Sequence, residues 1–377
     1  MFYIKDEYDY LIHLLKCVIT GEQPQELPEN LSFKKVFRCA REHSVANMAF
    51  YSVEKLADKP DSELYAYWEG ERNLAIARHF NQMDARDEIV RELAKAKIRV
   101  LEAQGTLIKP LYPSPDQRTM ADLDFIVDPE NLSKTEQILL SLGYTVDKST
   151  EQEVDVQRQP NMYVEIHTDY FTKEFKYSDS LEYPFDAAEE ISPYSFRPTD
   201  EMFYAYSVLH LAKHYFIGGL GIRRVMDLFI LNREYKAVSK SETVTDIFKN
   251  LDLLPFVEKI SALAQAWFGD GELTDEMNVM ITQIKRGQTF GSYATHTTNQ
   301  LVEVKEKSKY FVKTRYFLSQ VFNSKEYLSG TNPILKKRPY LLPFVWVIRV
   351  FKFLTVDRKK LKNRMSAIIQ SDCDNGV

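Results

Sequence analysis

At 377 residues, 44% of them hydrophobic and 27% charged, the chain is long enough for two or three domains with sizeable cores, and its composition excludes a disordered or fibrous protein. Its three cysteines, Cys17, Cys39 and Cys373, show no C-x-x-C spacing, which argues against a disulfide framework or a cysteine-based zinc site and for a reducing compartment. The net charge of −5 is uneven: 333–364 holds ten Lys or Arg and one acid, a local +9, which leaves about −14 for the rest and speaks against a broad nucleic-acid surface.

The N-terminus has three acids among its first ten residues and no basic stretch before its apolar run, unlike a secretory signal. No run of about 18 apolar residues is long enough to span a bilayer, so the expected location is cytoplasmic. Residues 1–97 read as helices. Ser32 is placed to cap a helix carrying Phe33, Val36, Phe37 and Ala40, and a second helix follows from about Ser44. Asp61 or Ser62 opens a long helix to about Lys97, on which Leu64, Trp68, Ala75, Val90, Leu93 and Ala94 fall near helical spacing. Its expected role is a backing for the strands that follow. His43 and His79 read as packing or surface residues.

From 98 to about 190 the pattern switches to mixed helix and strand. Ile98 to Leu101 reads as a strand, Gln104-Gly105-Thr106 as a turn, and the segment to Tyr112 as a short helix. Asp122-Leu123-Asp124 then lies in an apolar run ending at Val127; as a strand it sets both carboxylates on one face. Two such carboxylates resist joint ionisation and are most easily tolerated around a divalent cation. A helix from Asn131 to Leu142 is closed by Gly143, and strands follow near 144–146, 154–157 and 162–167, with Gln159-Pro160-Asn161 as a hairpin turn. The last strand offers Glu165 as a third carboxylate, with Asp155 as its competitor.

A strand, a Gly-Thr turn, a D-x-D strand and a later acidic strand make a two-metal phosphoryl-transfer constellation. With Leu111-Tyr112-Pro113-Ser114-Pro115, Arg118, Glu165, His167, His210 and His214, the pattern resembles the uncharacterised bacterial nucleotidyltransferases of the DNA-polymerase-beta-like superfamily, over roughly 35–235. Gln104 departs from the lysine usual there, and Thr106 from the serine of the wider superfamily. The resemblance implies an α+β fold, a small mixed sheet embedded between N-terminal and C-terminal helical regions, and favours Glu165 over Asp155. It implies Mg²⁺ or Mn²⁺ held by Asp122, Asp124 and Glu165, an NTP as substrate, and Gly105, Thr106 and Arg118 as nucleotide contacts, Arg118 serving as a charge clamp. The acceptor is unassigned, and the acidic body disfavours nucleic acid. The contrasting expectation is a silent regulatory or scaffold protein that keeps this fold, tied to surface-polysaccharide assembly or a toxin–antitoxin pair.

Thr199 and Asp200 cap a further helix, on which His210 and His214 share a face, without the intervening Glu of a metalloprotease motif. Gly218 to Gly221 reads as a helix-to-helix turn, after which Arg223, Arg224 and Asp227 open the next helix, with Asp227 a partner for a histidine or arginine; His167, His210, His214 and Asp227 are thus accessory candidates. The expected divisions are 1–97, 98–195, 196–330 and a basic amphipathic tail, 331–377. In that tail Leu341, Phe344, Val345, Ile348 and Phe351 recur at helical spacing between basic clusters. The pattern suits either a packed helix with a wet basic edge or weak contact with an anionic membrane surface.

Overall fold

The computed structural model describes residues 4–172, 175, 177–217 and 219–287, together with 338, 340, 342–344 and 346. Of the expected tail helix only 342–344 and 346 are described, as helix, and its remainder and the membrane contact lie outside the described residues. The chain divides into two compact units, Met1–Lys213 with Leu220–Thr289, and His214–Gly219 with Phe290–Val377. The description below is of the first.

Helix α1 (Glu7–Thr20) starts where Asp6 accepts the Asp9 N–H at 2.8 Å, and it stops at Gly21, whose φ of 77° a side chain would strain. Its Leu11, Ile12, Leu14 and Leu15 are wholly buried, in a helix that packs on α3 (Ala46–Val53) and α10 (Leu254–Phe268) among others. Helix α2 (Phe33–Glu42) begins after Ser32 as expected, although the Ser32 side chain makes no capping bond. The long helix α4 (Ser62–Lys95) is capped by Asp61, which accepts the Leu64 N–H at 2.9 Å. Trp68, at 0% exposure, donates its indole N–H to the Ala46 carbonyl and ties α4 to α3.

Next come β1 (Val100–Glu102), the short α5 (Gln104–Ile108), β2 (Leu123–Val127), α6 (Leu132–Ser141), β3 (Thr145–Ser149), β4 (Glu153–Arg158), β5 (Met162–His167), β6 (Ala188–Ser192) and β7 (Ser195–Pro198). They form one mixed sheet of seven strands in the order β3-β4-β5-β2-β1-β7-β6. One face is apolar: Leu123, Phe125 and Val127 of β2, Val154 and Val156 of β4, and Val164 and Ile166 of β5 pack with Ala85, Ile89 and Leu93 of α4 and Leu132 and Leu139 of α6. Burying this face, at about 25 cal/mol per Å² of apolar area, is what holds the helix to the sheet. Glu102 points to the same side, where Arg86 of α4 neutralises it, Nε lying 3.0 Å from a carboxylate oxygen. The helical part follows in α7 (Asp200–Ile217), α8 (Ile222–Glu234), α9 (Glu242–Asn250), α10 (Leu254–Phe268) and α11 (Asn278–Gly287), with α10 packed on α8 and α1.

The α+β expectation therefore holds, and the sheet is wider than the sequence reading drew it. β6 and β7 were not foreseen. β7 pairs parallel with β1, and β6 closes that edge antiparallel to β7. Among the described residues, no helix is long and apolar enough to cross a membrane.

Candidate active site

The period-2 alternation of β2 buries Leu123, Phe125 and Val127 under α4 and turns Asp124 to the opposite face of the sheet. β5 runs parallel beside it with Asp124 opposite Glu165 and Ile126 opposite His167, and β4 sets Asp155 opposite Glu165 and Glu153 opposite His167. Residues paired this way share a face. Asp124, Glu165 and Asp155 thus form an acidic row across three strands, with His167 and Glu153 one step along. Asp122 lies immediately before β2, outside the strand in which it was expected.

Ligand atoms of Asp124, Glu165 and His167 all lie within 4.8 Å of one another. His167 Nε2 is 3.6 Å from Asp124 Oδ1 and 3.4 Å from Glu165 Oε2, and its Nδ1 is 3.9 Å from Glu153 Oε2. Burial opposes a charge on this imidazole, yet the Asp124 and Glu165 carboxylates outweigh it and lift its pKa to about 9. Asp122 is pushed up to about 7, chiefly by burial and then by Asp124 and Glu165. Burial and Glu165 also raise Asp155, whose buried Oδ1 has no hydrogen-bond partner. Two carboxylate oxygens and an imidazole nitrogen gathered within 4.8 Å are a donor set suited to a divalent cation, with Asp122 two residues before Asp124. Asp155 and Asp122 are outside that cluster, whose third member beside Asp124 and Glu165 is His167. Among the described residues, His210 and His214 belong to no such group.

The Gly105 turn meets the same region. A Cβ at Gly105 would lie 2.7 Å from Met120 Sδ, so a side chain there would have to displace that methionine, and no left-handed backbone is involved. Thr106 is buried and donates its hydroxyl to the Ala103 carbonyl at 3.0 Å, fastening the first turn of α5. Gln104 is tied to α7: its Nε2 donates to the Ser207 carbonyl, and its Oε1 lies 2.5 Å from His210 Nδ1. Arg224 Nη1 also lies 3.2 Å from His210 Nδ1.

Arg118, read from the sequence as a charge clamp, is 5% exposed, and its Nε and Nη2 meet the two oxygens of Asp227 at 2.9 and 3.1 Å. Tyr112 donates to the same carboxylate at 2.6 Å. A guanidinium removed from water needs a bidentate partner of this kind, and the pairing foreseen for Asp227 is this one. Burial raises the Asp227 carboxyl, but Arg118 more than reverses that and holds it below its ordinary range. At the start of α8, Arg223 donates from Nη1 to the Thr119 carbonyl and hydroxyl at 2.8 and 3.3 Å. Burial and Arg118 depress Arg223; burial and Arg223 bring Arg224 down to about 10. Tyr206 and Lys213 of α7 feel the charges of Asp124 and Glu165. Neither was singled out from the sequence. Only the placement of α7 over the acidic row reveals them, whereas His167 had a local signal, its i+2 spacing from Glu165.

A family model described as "Uncharacterised nucleotidyltransferase" matches residues 29–269. No curated protein matches the chain. A solution structure of the antibiotic-resistance factor ANT(2'')-Ia, described as revealing substrate-regulated conformation dynamics, is 12% identical over 50% of this chain and 92% of that one, with a TM-score of 0.27.

Proposed function

The chain belongs to the uncharacterised nucleotidyltransferase family, and from that premise we propose that it moves a nucleotidyl group from an NTP to an acceptor hydroxyl or phosphate at the Asp122, Asp124 and Glu165 face. The observation that carries this reading is the register of β2 against β5, which brings carboxylates 41 positions apart in sequence into one cluster with His167. In the transfer, an acceptor oxygen attacks the α-phosphorus, the bond from that phosphorus to the α–β bridging oxygen breaks, and pyrophosphate leaves with the electron pair. Asp122, Asp124 and Glu165 would hold Mg²⁺ or Mn²⁺, with His167 beside them, and the ion would supply Lewis-acid polarisation of the phosphate oxygens. Glu165, 39% exposed, is the carboxylate placed to take the acceptor proton. Gly105 and Thr106 lend backbone N–H groups to the approach, and the Arg118–Asp227 pair fixes the segment that leads into Asp122.

Thermal melting of the full chain tests the proposal. An NTP added with Mg²⁺ or Mn²⁺ should raise the melting temperature more than either alone; a ligand at a hundred times its Kd adds about 2.7 kcal/mol. Equal melting with and without the pair, for all four NTPs, would refute it.

A further inference from the structure

Part of the outer face of α4 is uncharged, where a surface helix ordinarily turns charge to water. Trp68, Ala75 and Gln82, seven residues apart, are buried and mark its inner side. On the opposite side no exposed position between 66 and 81 carries a charge, and Tyr67, Leu74 and Phe80 are 65%, 56% and 62% exposed. The exposed positions beyond, Asp84, Asp87, Arg91 and Lys95, are all charged. Gly70 lies on this stripe and in the interior of the helix, where glycine is disfavoured, and a Cβ there would meet nothing within 4 Å. No neighbour among the described residues therefore requires glycine at this position; the close approach of another backbone would.

The stripe also reads alike in both directions. Reversed about the midpoint between 73 and 74, Ala66 falls on Asn81, Tyr67 on Phe80, Gly70 on Ala77 and Asn73 on Leu74. Each exposed position is matched by an exposed one, an aromatic by an aromatic and a small residue by a small one at the two inner pairs that flank the centre. At about 100° of rotation per residue they share an arc of about 140° on one side of the helix. A two-fold axis demands this of a surface that meets its own copy, since every residue must find its partner at the reversed position. An unrelated partner would impose no such symmetry.

We propose that this face of α4 docks, in the reverse direction, on the same face of a second copy of the chain, forming a symmetric dimer. Gly70 then lies level with Ala77 of the second copy and lets the two backbones approach, Tyr67 lies level with Phe80 of the second copy, and Leu74 meets its own counterpart at the axis. The stripe is about 24 Å long at 1.5 Å per residue. A contact of one helix on another over that length falls at the low end of specific interfaces, so the dimer forms in the micromolar range. Further along, α4 covers the sheet face opposite the acidic row through Ala85, Ile89 and Leu93, so docking on its outer side leaves the row of each copy open. The dimer is independent of the nucleotidyl-transfer reading.

The same reversal sets Glu63 level with Asp84 of the second copy at each end of the contact, both exposed, so the wild-type dimer carries a like-charge pair at either end. Sedimentation velocity of the full chain, over about 1 to 100 µM, tests the proposal. Wild type should pass from monomer to dimer across this range. Leu74→Lys, which places a charge at the axis, should weaken association about tenfold. Asp84→Lys should tighten it about fivefold, because the new ammonium faces Glu63 of the second copy, whereas Asp87→Lys makes the same charge change outside the stripe and should leave it unchanged. All three positions are exposed, and circular dichroism establishes that each variant is folded. A wild type that stays monomeric throughout, association unmoved by Leu74→Lys, or Asp84→Lys associating no more tightly than Asp87→Lys would overturn the dimer as drawn.

Discussion

Asp124 and Asp227 are both acids in this unit, and opposite fates are expected on neutralising them. Asp124→Asn removes repulsion from Glu165 and Asp122 and also the attraction that holds the His167 imidazolium, so ligand-free stability should change little while stabilisation by Mn²⁺ with NTP disappears. Melting curves with and without ligand check this; persistence of the ligand effect would exclude Asp124 as a cation ligand. Asp227→Asn leaves the Arg118 guanidinium buried without its counter-charge, at a cost of about 3–5 kcal/mol. Urea unfolding measures that loss, and a change below about 1 kcal/mol would show that Arg118 had found another partner. At this scale the sequence was legible where partners lie close along the chain, as with the i+2 pairs Asp122/Asp124 and Glu165/His167. For Asp227 a histidine or arginine partner was legible but not which one, because Arg118 is 109 positions away and meets it only because α8 is brought against the approach to β2.

Among elements, periodic segments could be read directly. The α4 helix starts at Asp61 or Ser62 as its pattern indicates, and Asp124 and Glu165 fall on strands, because apolar alternation and capping are local properties. β6 and β7 escaped because β6 is an edge strand with both faces mostly exposed and β7 has only four residues, so neither alternates. The two caps differ in a measurable way. Asp61→Ala removes a side-chain bond to the Leu64 N–H and should cost about 1 kcal/mol, whereas Ser32, which makes no such bond, should tolerate alanine within about 0.5 kcal/mol. Chemical denaturation of the two variants decides the point; equal losses would contradict the capping geometry.

For the whole molecule, stability should fall on mild acidification through a residue far from the acidic row in sequence. His43 is wholly buried, accepts the Ile222 N–H on Nδ1 at 3.2 Å, and packs against the Tyr8 ring; burial pulls its pKa down to about 4. The unfolded chain takes up this proton near pH 6.5, the folded one near 4, so the stabilisation is complete above about 6.5 and is lost as pH falls towards 4. The span corresponds to about 3 kcal/mol. Urea melts between pH 7 and 4.5 should show a shallower fall in His43→Gln, which keeps an acceptor but not the titration; parallel curves would remove His43 as the cause. The central claim is that the acidic row holds a divalent cation for nucleotidyl transfer, and the most direct measurement of it is Mn²⁺ binding to the full chain by electron paramagnetic resonance. Wild type should take up at least one Mn²⁺ that Asp124→Asn combined with Glu165→Gln does not, and an NTP should tighten that uptake; identical Mn²⁺ binding by the wild type and the double variant would contradict it.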